Sequence, residues 1–247
     1  MALGELPTGD EKRVRVREMF DRIAPRYDAL NRVMSVGLDQ RWRRRALDKI
    51  AVGDGDRVVD LACGTGDFCE LAMARGAQAI GVDFAIQMLR RARIRGLEFP
   101  SVQADAEWLP FRSSSVDVVT CGFALRNFVS LDAVLREIAR ILLPGGRVAL
   151  IDVDRPSWGP LRAAHSLYFD RVVPLVGGIV SDRSAYRYLP QSTAYLPPPE
   201  DLKQMMSAAG FLEVEREVLL LGSAQILTGT RGPLTPVRSG GAGESDA

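Results

Sequence analysis

Hydrophobic positions along the chain change rhythm near residue 57. Before it, Val16, Met19, Phe20 and Ile23 recur at helical spacing, and Trp42, Ala46, Leu47 and Ile50 repeat the pattern beyond Pro25. Two helices are predicted within Val14 to Ile50. From Arg57 onward, short β-branched runs alternate with amphipathic stretches, as in βαβ units that build a parallel sheet. The runs predict strands at Arg57 to Ala62, Gln78 to Asp83, Ser101 to Asp105, Val116 to Cys121 and Arg147 to Asp152. Between them, helices are predicted at Phe68 to Arg75, Ile86 to Arg95 and Leu131 to Leu142, the last stopped by Pro144-Gly145-Gly146. A helix from Pro199 to Ala209 ends at Gly210, and strands follow at Leu212 to Leu219 and Ala224 to Thr230. The count is about seven strands.

The stretch Arg155 to Pro198 breaks this alternation with several prolines and with Trp158, His165, Tyr168, Tyr186, Tyr188 and Tyr195. It is too long for an ordinary connection, so a lid insert over 156–198, above the carboxyl edge of the sheet, is expected. Residues 1–13 and 231–247 are rich in Gly, Pro and polar side chains and read as disordered tails. A single domain over 14–230, with a helical cap at 14–50, accounts for the rest.

Composition narrows the function classes. The chain has 247 residues, 47% of them hydrophobic, with 32 Lys+Arg against 31 Asp+Glu. A formal net charge of +1 is not the basic footprint of a nucleic-acid binder. Cys63, Cys69 and Cys121 have neither disulfide-framework nor zinc spacing, which predicts reduced thiols, an intracellular chain and no metal. No apolar run approaches the roughly 20 residues of a membrane span, and the start of the chain lacks signal-peptide character.

The candidate chemistry begins where the first strand turns into the first helix of the alternating part, at Asp60-Leu-Ala-Cys-Gly64-Thr65-Gly66-Asp67. Glycines there allow a ligand to approach the backbone. A dinucleotide fingerprint would place a third glycine at position 69, which is Cys69. Asp60, Asp83 and Asp105 fall at successive strand ends, which an open parallel sheet brings to one crevice. That acidic crevice repels a pyrophosphate and suits a cationic nucleoside. Asp83 would accept from ribose hydroxyls and Asp105 from an adenine amino group, so S-adenosylmethionine is the predicted ligand. A nicotinamide-dependent dehydrogenase conflicts with the same features. Each Asp alone could be a helix cap.

With the Gly loop, the acids and the strand count, the sequence resembles a class I methyltransferase. Tyr27-Asp28-x-x-Asn31, Ser35, Trp42-Arg43, Phe123-Ala-Leu125-Arg126-Asn127 and Ser184-x-Tyr186-x-Tyr188-Leu189-x-x-Ser192 narrow it further. These motifs resemble those of the ubiquinone/menaquinone biosynthesis C-methyltransferase family. The resemblance implies a Rossmann-like α/β fold, a seven-stranded mostly parallel sheet between helices, with N-terminal helices and a helical lid insert. It implies cofactor contacts at Thr65, Asp83 and the Asp105-Ala106 pair. Relatives often have Asn in place of Asp105, and Ser where this chain has Gly122, so a hydroxyl contact at that cofactor position is absent.

The implied reaction is C-methylation of a reduced prenylated quinone precursor, with demethylmenaquinol the first choice. The dominance of Arg over Lys among the basic residues, a mark of GC-rich bacterial coding, inclines toward that choice. Methylation at ring carbon needs a neighbouring hydroxyl to lose its proton, and Arg126 is the expected cation for the resulting anion, unless it pairs with Asp132 or another acid. His165, Asp152 and Asp154 are candidate bases, with packing the competing role for His165. Tyr186 and Tyr188 would lie along the ring or donate to its oxygens, or pack in the core. Asp152-Val-Asp154-Arg-Pro departs from the Glu-Phe-Ser type of triplet more usual in relatives, which opens the identity of the acceptor.

The expected partner is thus a prenylated quinol or another small aromatic. Cytoplasmic placement is expected, with peripheral contact at the inner face of the membrane through the apolar run Val172 to Val180, if that run is not core. The arginines at 41, 43, 44 and 45 and at 90, 91, 93 and 95 read as solvated helix faces, the first group able to meet anionic headgroups. Oligomeric state is open, with a homodimer one option. A methyltransferase for a phenol or amine, and a noncatalytic cofactor-binding subunit of a quinone-synthesis complex, are the rival readings.

Overall fold

The computed structural model describes residues 7–35, 37–154 and 192–233. Three helices lead the chain: α1 (Gly9–Ile23), α2 (Tyr27–Met34) and α3 (Asp39–Lys49). Two had been expected. Pro25 ends α1 in a 3-10 turn over Ala24–Arg26, and a second break follows at Gly37, whose φ of +74° suits glycine. α1 also begins inside the expected tail. Its inward face runs Lys12, Val16, Met19, Ile23, so the helical spacing continues back to a lysine that hydrophobic periodicity does not register.

The alternating part forms β1 (Arg57–Leu61), α4 (Asp67–Met73), β2 (Gln78–Asp83), α5 (Ile86–Ile94), β3 (Ser101–Gln103), β4 (Val116–Gly122), α6 (Leu131–Ile141) and β5 (Leu142–Val153). α7 (Pro199–Ala208), β6 (Phe211–Leu219) and β7 (Ala224–Arg231) complete it. Ser130 caps α6 by accepting from the Ala133 N–H at 3.2 Å, and Val134, Leu135, Ile138 and Ile141 turn inward. Expected boundaries hold to within a few residues. β5 starts earlier than expected because Leu142 pairs with Val116 before an irregularity at Pro144-Gly145-Gly146 lets Arg147 resume against Val118.

The seven strands pair in the order β3-β2-β1-β4-β5-β7-β6. β1 to β5 are parallel, and β7 runs antiparallel to both of its neighbours. Two apolar layers sandwich the sheet. Val59, Leu61, Val148 and Leu150 meet Leu135 and Ile138 of α6 and Leu202 of α7 on one face. On the other, Val58, Val118, Ala149 and Ile151 meet Leu47 of α3 and Phe68, Cys69 and Ala72 of α4. From β1 the chain winds outward through β2 and β3, then returns to the other side with β4 and β5. The carboxyl ends of β1, β2 and β4 therefore flank a topological switch point, where such sheets bind ligands.

Candidate cofactor and active site

A cavity opens at that switch point. Gly64, Asp83, Asp105, Ala106 and Gly122 line it, together with Val82, Phe84, Met88 and Phe123. Five of the positions expected from sequence thus share one wall.

Asp83 is the best-organised acid of the site. Its carboxylate accepts from the Gly64 N–H and from the Ala85 N–H, each at 2.8 Å, tying the loop after β1 to the loop after β2. Burial raises its pKa to about 6, with the backbone donors pulling in the opposite direction. Each oxygen keeps a second lone pair for a ligand hydroxyl.

Asp105 lies beyond the end of β3, which stops at Gln103. Its carboxylate accepts from Arg13 Nε at 2.8 Å and from the Glu107 N–H at 3.0 Å, and Arg13 Nη2 meets Glu107 at 3.0 Å. Arg13, Phe20 and Tyr27 bring the N-terminal helices to the cavity wall. Next to Arg13, Lys12 donates to the Phe128 carbonyl at 2.6 Å and stands 3.8 Å from the centre of the Tyr195 ring. Burial draws this lysine down to about 8, against the attraction of Glu107. Residues 9–13 are therefore helix in place of the expected tail, and Arg13 among them lines the cavity.

Asp60 departs from the expected trio. It shares the face of β1 that carries Val58, because side chains alternate along a strand, and this face packs beneath α4. Its carboxylate accepts from Thr120 Oγ1 at 2.8 Å and from Cys69 Sγ at 3.9 Å, away from the cavity lining. Burial raises its pKa to about 7, opposed by the bond from Thr120. Folding thus favours the protonated acid, and its stabilisation is complete below the unfolded-state value near 4 and lost as pH rises through about 7. Asp60→Asn is expected to match wild-type stability near pH 4 and to gain on it by about 1.4 kcal/mol per pH unit up to pH 7. Urea midpoints across that range test this, and parallel pH curves would refute it.

Thr65 and Gly66 also lie outside the cavity lining. The Thr65 hydroxyl donates to Asp28 at 2.5 Å, and Arg95 donates to Thr65 and to Asp67. Gly66, at φ +91°, makes room for Phe99, whose ring would be 2.5 Å from an added Cβ. These two residues shape the loop from behind.

In the turn after β4, the buried guanidinium of Arg126 is paired with Asp152, not with Asp132. Arg126 Nη1 also donates to the Phe123 carbonyl at 2.9 Å, and Nε donates to Ser192 at 3.2 Å. Asp152 is fully enclosed and accepts from the Arg126 N–H, from Arg126 Nη1 and from the Val153 N–H. These three donors and its complete burial tie Asp152 to Arg126 as its anchor, outside the cavity lining. Asp154 is paired with Arg216. His165, Tyr186 and Tyr188 lie outside the described residues.

Two signals escaped the hydrophobic pattern. Ala62 and Phe123, both lining the cavity, hold positive φ values of 49° and 62°, the kind of backbone strain that gathers at functional sites. Arg43, which the sequence pattern places among the solvated arginines, points inward with 5% exposure.

The fold is that of the class I methyltransferases: at a TM-score of 0.60 and 16% identity it resembles Haemonchus contortus phosphoethanolamine N-methyltransferase 2 in complex with S-adenosyl-L-methionine, with 78% of this chain and 53% of that one superposed. In sequence, residues 8–231 match the model of the ubiE/COQ5 methyltransferase family. The chain belongs to that family. It is 46% identical over 220 residues to a demethylmenaquinone methyltransferase of Thermus thermophilus, covering 86% of this chain and all of that protein. It is 39% identical over 232 residues to the ubiquinone/menaquinone biosynthesis C-methyltransferase UbiE of Geobacter sulfurreducens, covering 90% of each.

Proposed function

We propose that this protein methylates a ring carbon of a reduced prenylated quinone precursor, with demethylmenaquinol as acceptor and S-adenosylmethionine as donor. The observation that carries the reading is the cavity in which a buried acid, Asp83, faces apolar walls beside the loop that holds Arg126. The names of its relatives support the acceptor class.

The residues present fit the donor. A Cβ at Gly64 would stand 3.3 Å from the Tyr27 ring, so a side chain there would crowd the cradle between two lining residues. Asp83 would accept from the ribose hydroxyls, while Val82, Met88 and Ala106 would flank the adenine and Asp105 would accept from its amino group. When bound, the donor supplies an electrophilic methyl group. Glu107 and Asp105, partly neutralised by Arg13, leave the site attractive to a cationic ligand.

Arg126 would stabilise the oxyanion of the ionised quinol and so lower the pKa of that hydroxyl, while Asp152 keeps the guanidinium in place. His165, Tyr186 and Tyr188 complete the reading as acceptor-side groups, with His165 the candidate proton acceptor. The apolar walls exclude water from a direct methyl displacement, and orientation supplies much of the rate. The proposal includes a cytoplasmic protein with peripheral contact at the inner membrane face, where a prenylated quinol resides.

Anaerobic incubation with S-adenosylmethionine and a panel of reduced demethylnaphthoquinols, benzoquinols and simple phenols, followed by mass spectrometry, tests the reading. A ring-methylated naphthoquinol as the main product is the expected result. Methylation confined to phenols or amines would replace the acceptor, and cofactor binding without any product would point to a noncatalytic subunit.

A further inference from the structure

The guanidinium of Arg43 is almost completely buried yet weakly satisfied. Its Nη1 meets Asp39 at 3.4 Å, its Nη2 stands 4.0 Å from Asp67, and Nε has no hydrogen-bond partner among the described residues. The acids it faces are also shared. Asp39 accepts from Ser35 at 2.8 Å, and Asp67 is engaged by Arg95 at 2.8 Å. Buried guanidinium donors normally find acceptors, because leaving them unpaired in an apolar setting is costly.

Two aromatic rings hold this group in place. Its central carbon lies 5.4 Å from the centre of Phe68 and 5.2 Å from that of Phe123. Phe123 and Gly122 are themselves cavity wall, and Nη2 is 3.5 Å from the point where a Cβ on Gly122 would sit. Arg43 is not itself part of the lining; it stands directly behind Gly122 and Phe123, where no side chain on residue 122 intervenes.

We infer that Arg43 binds the α-carboxylate of the methyl donor, as a positioning residue for its amino-acid end. The inference deepens the proposed function and rests on its assignment of the cavity to S-adenosylmethionine. Strand order gives the direction. A ribose held by Asp83 at the end of β2 leaves the amino-acid end to cross β1 toward Gly122 at the end of β4. A planar guanidinium suits a carboxylate, taking it through two parallel N–H bonds. The one inward arginine of α3 answers the donor's carboxylate, while Asp83 and Asp105 meet the uncharged hydroxyl and amino groups of the nucleoside.

Calorimetric titration with three ligands separates the possibilities: S-adenosylhomocysteine, which keeps the carboxylate; 5′-methylthioadenosine, which lacks the amino-acid end; and decarboxylated S-adenosylmethionine. Arg43→Gln is expected to weaken S-adenosylhomocysteine roughly 10- to 100-fold, the loss of a hydrogen-bonded charge, and to leave methylthioadenosine within about twofold. Arg43→Lys should recover part of the loss. Equal weakening of both nucleosides would mean that Arg43 only supports the fold, and overturns the inference. If the variant does not fold, wild type alone decides: it should bind decarboxylated S-adenosylmethionine at least about tenfold more weakly than S-adenosylmethionine, and equal affinity overturns the inference. Wild type that binds none of these nucleosides would overturn the cofactor reading itself, an outcome distinct from selective loss of carboxylate recognition.

Discussion

Asp83→Ala is expected to reduce affinity for S-adenosylhomocysteine by about 100-fold or more, because a buried carboxylate that accepts ligand hydroxyls contributes about 1.5–3 kcal/mol per bond. The same substitution unties the Gly64 and Ala85 N–H groups that shape both loops of the cavity. Wild-type affinity should also depend on pH. Since burial holds Asp83 at about 6 and ligand hydroxyls favour its ionised form, affinity should rise as pH rises through 6. Asp83→Asn keeps the shape without the titration, so its affinity should be lower and flat across the same range. Fluorescence or calorimetric titrations from pH 5 to 8 measure both effects. An alanine variant that binds as tightly as wild type would remove Asp83 from the cofactor site.

The second large effect concerns the pair beneath the acceptor side. Arg126→Ala leaves the enclosed Asp152 without its partner and should cost about 3–5 kcal/mol of stability, the usual result of stranding one member of a buried ion pair. Asp152→Ala strands Arg126 and should cost a similar amount. The double variant Arg126→Met/Asp152→Leu is expected to recover most of the stability, since apolar replacement of a buried pair is often neutral. Turnover should not return with it. Urea unfolding and single-turnover methylation distinguish the two roles, and cofactor affinity should stay within a few-fold of wild type. A stable double variant that methylates at the wild-type rate would show that the pair serves only the fold.

These expectations rest unequally on sequence and structure. The Gly64 turn and Asp83 were legible because a tight strand-to-helix turn and an acid at a strand end are local features, and a parallel sheet must gather such ends at one edge. Asp60 looked equivalent to Asp83 in the sequence, yet it belongs to the layer beneath α4, where Thr120 and Cys69 meet it. Spacing along one strand does not say what lies over each face. Arg13 was hidden for another reason. Its partners Asp105 and Glu107 are more than 90 residues away, and nothing in a polar N-terminal stretch announces a contact of that range.

By itself, the sequence determined the alternation of strands and helices, the seven-strand sheet and the family, because hydrophobic period and turn residues are properties of neighbouring positions. Only the tertiary structure decided which charged groups meet: Arg126 with Asp152, Arg13 with Asp105, and Arg43 turned inward against Phe68 and Phe123. The reason is physical. A charge can be buried only where packing from distant elements excludes water and supplies a counter-charge, and both conditions arise only once the layers have come together.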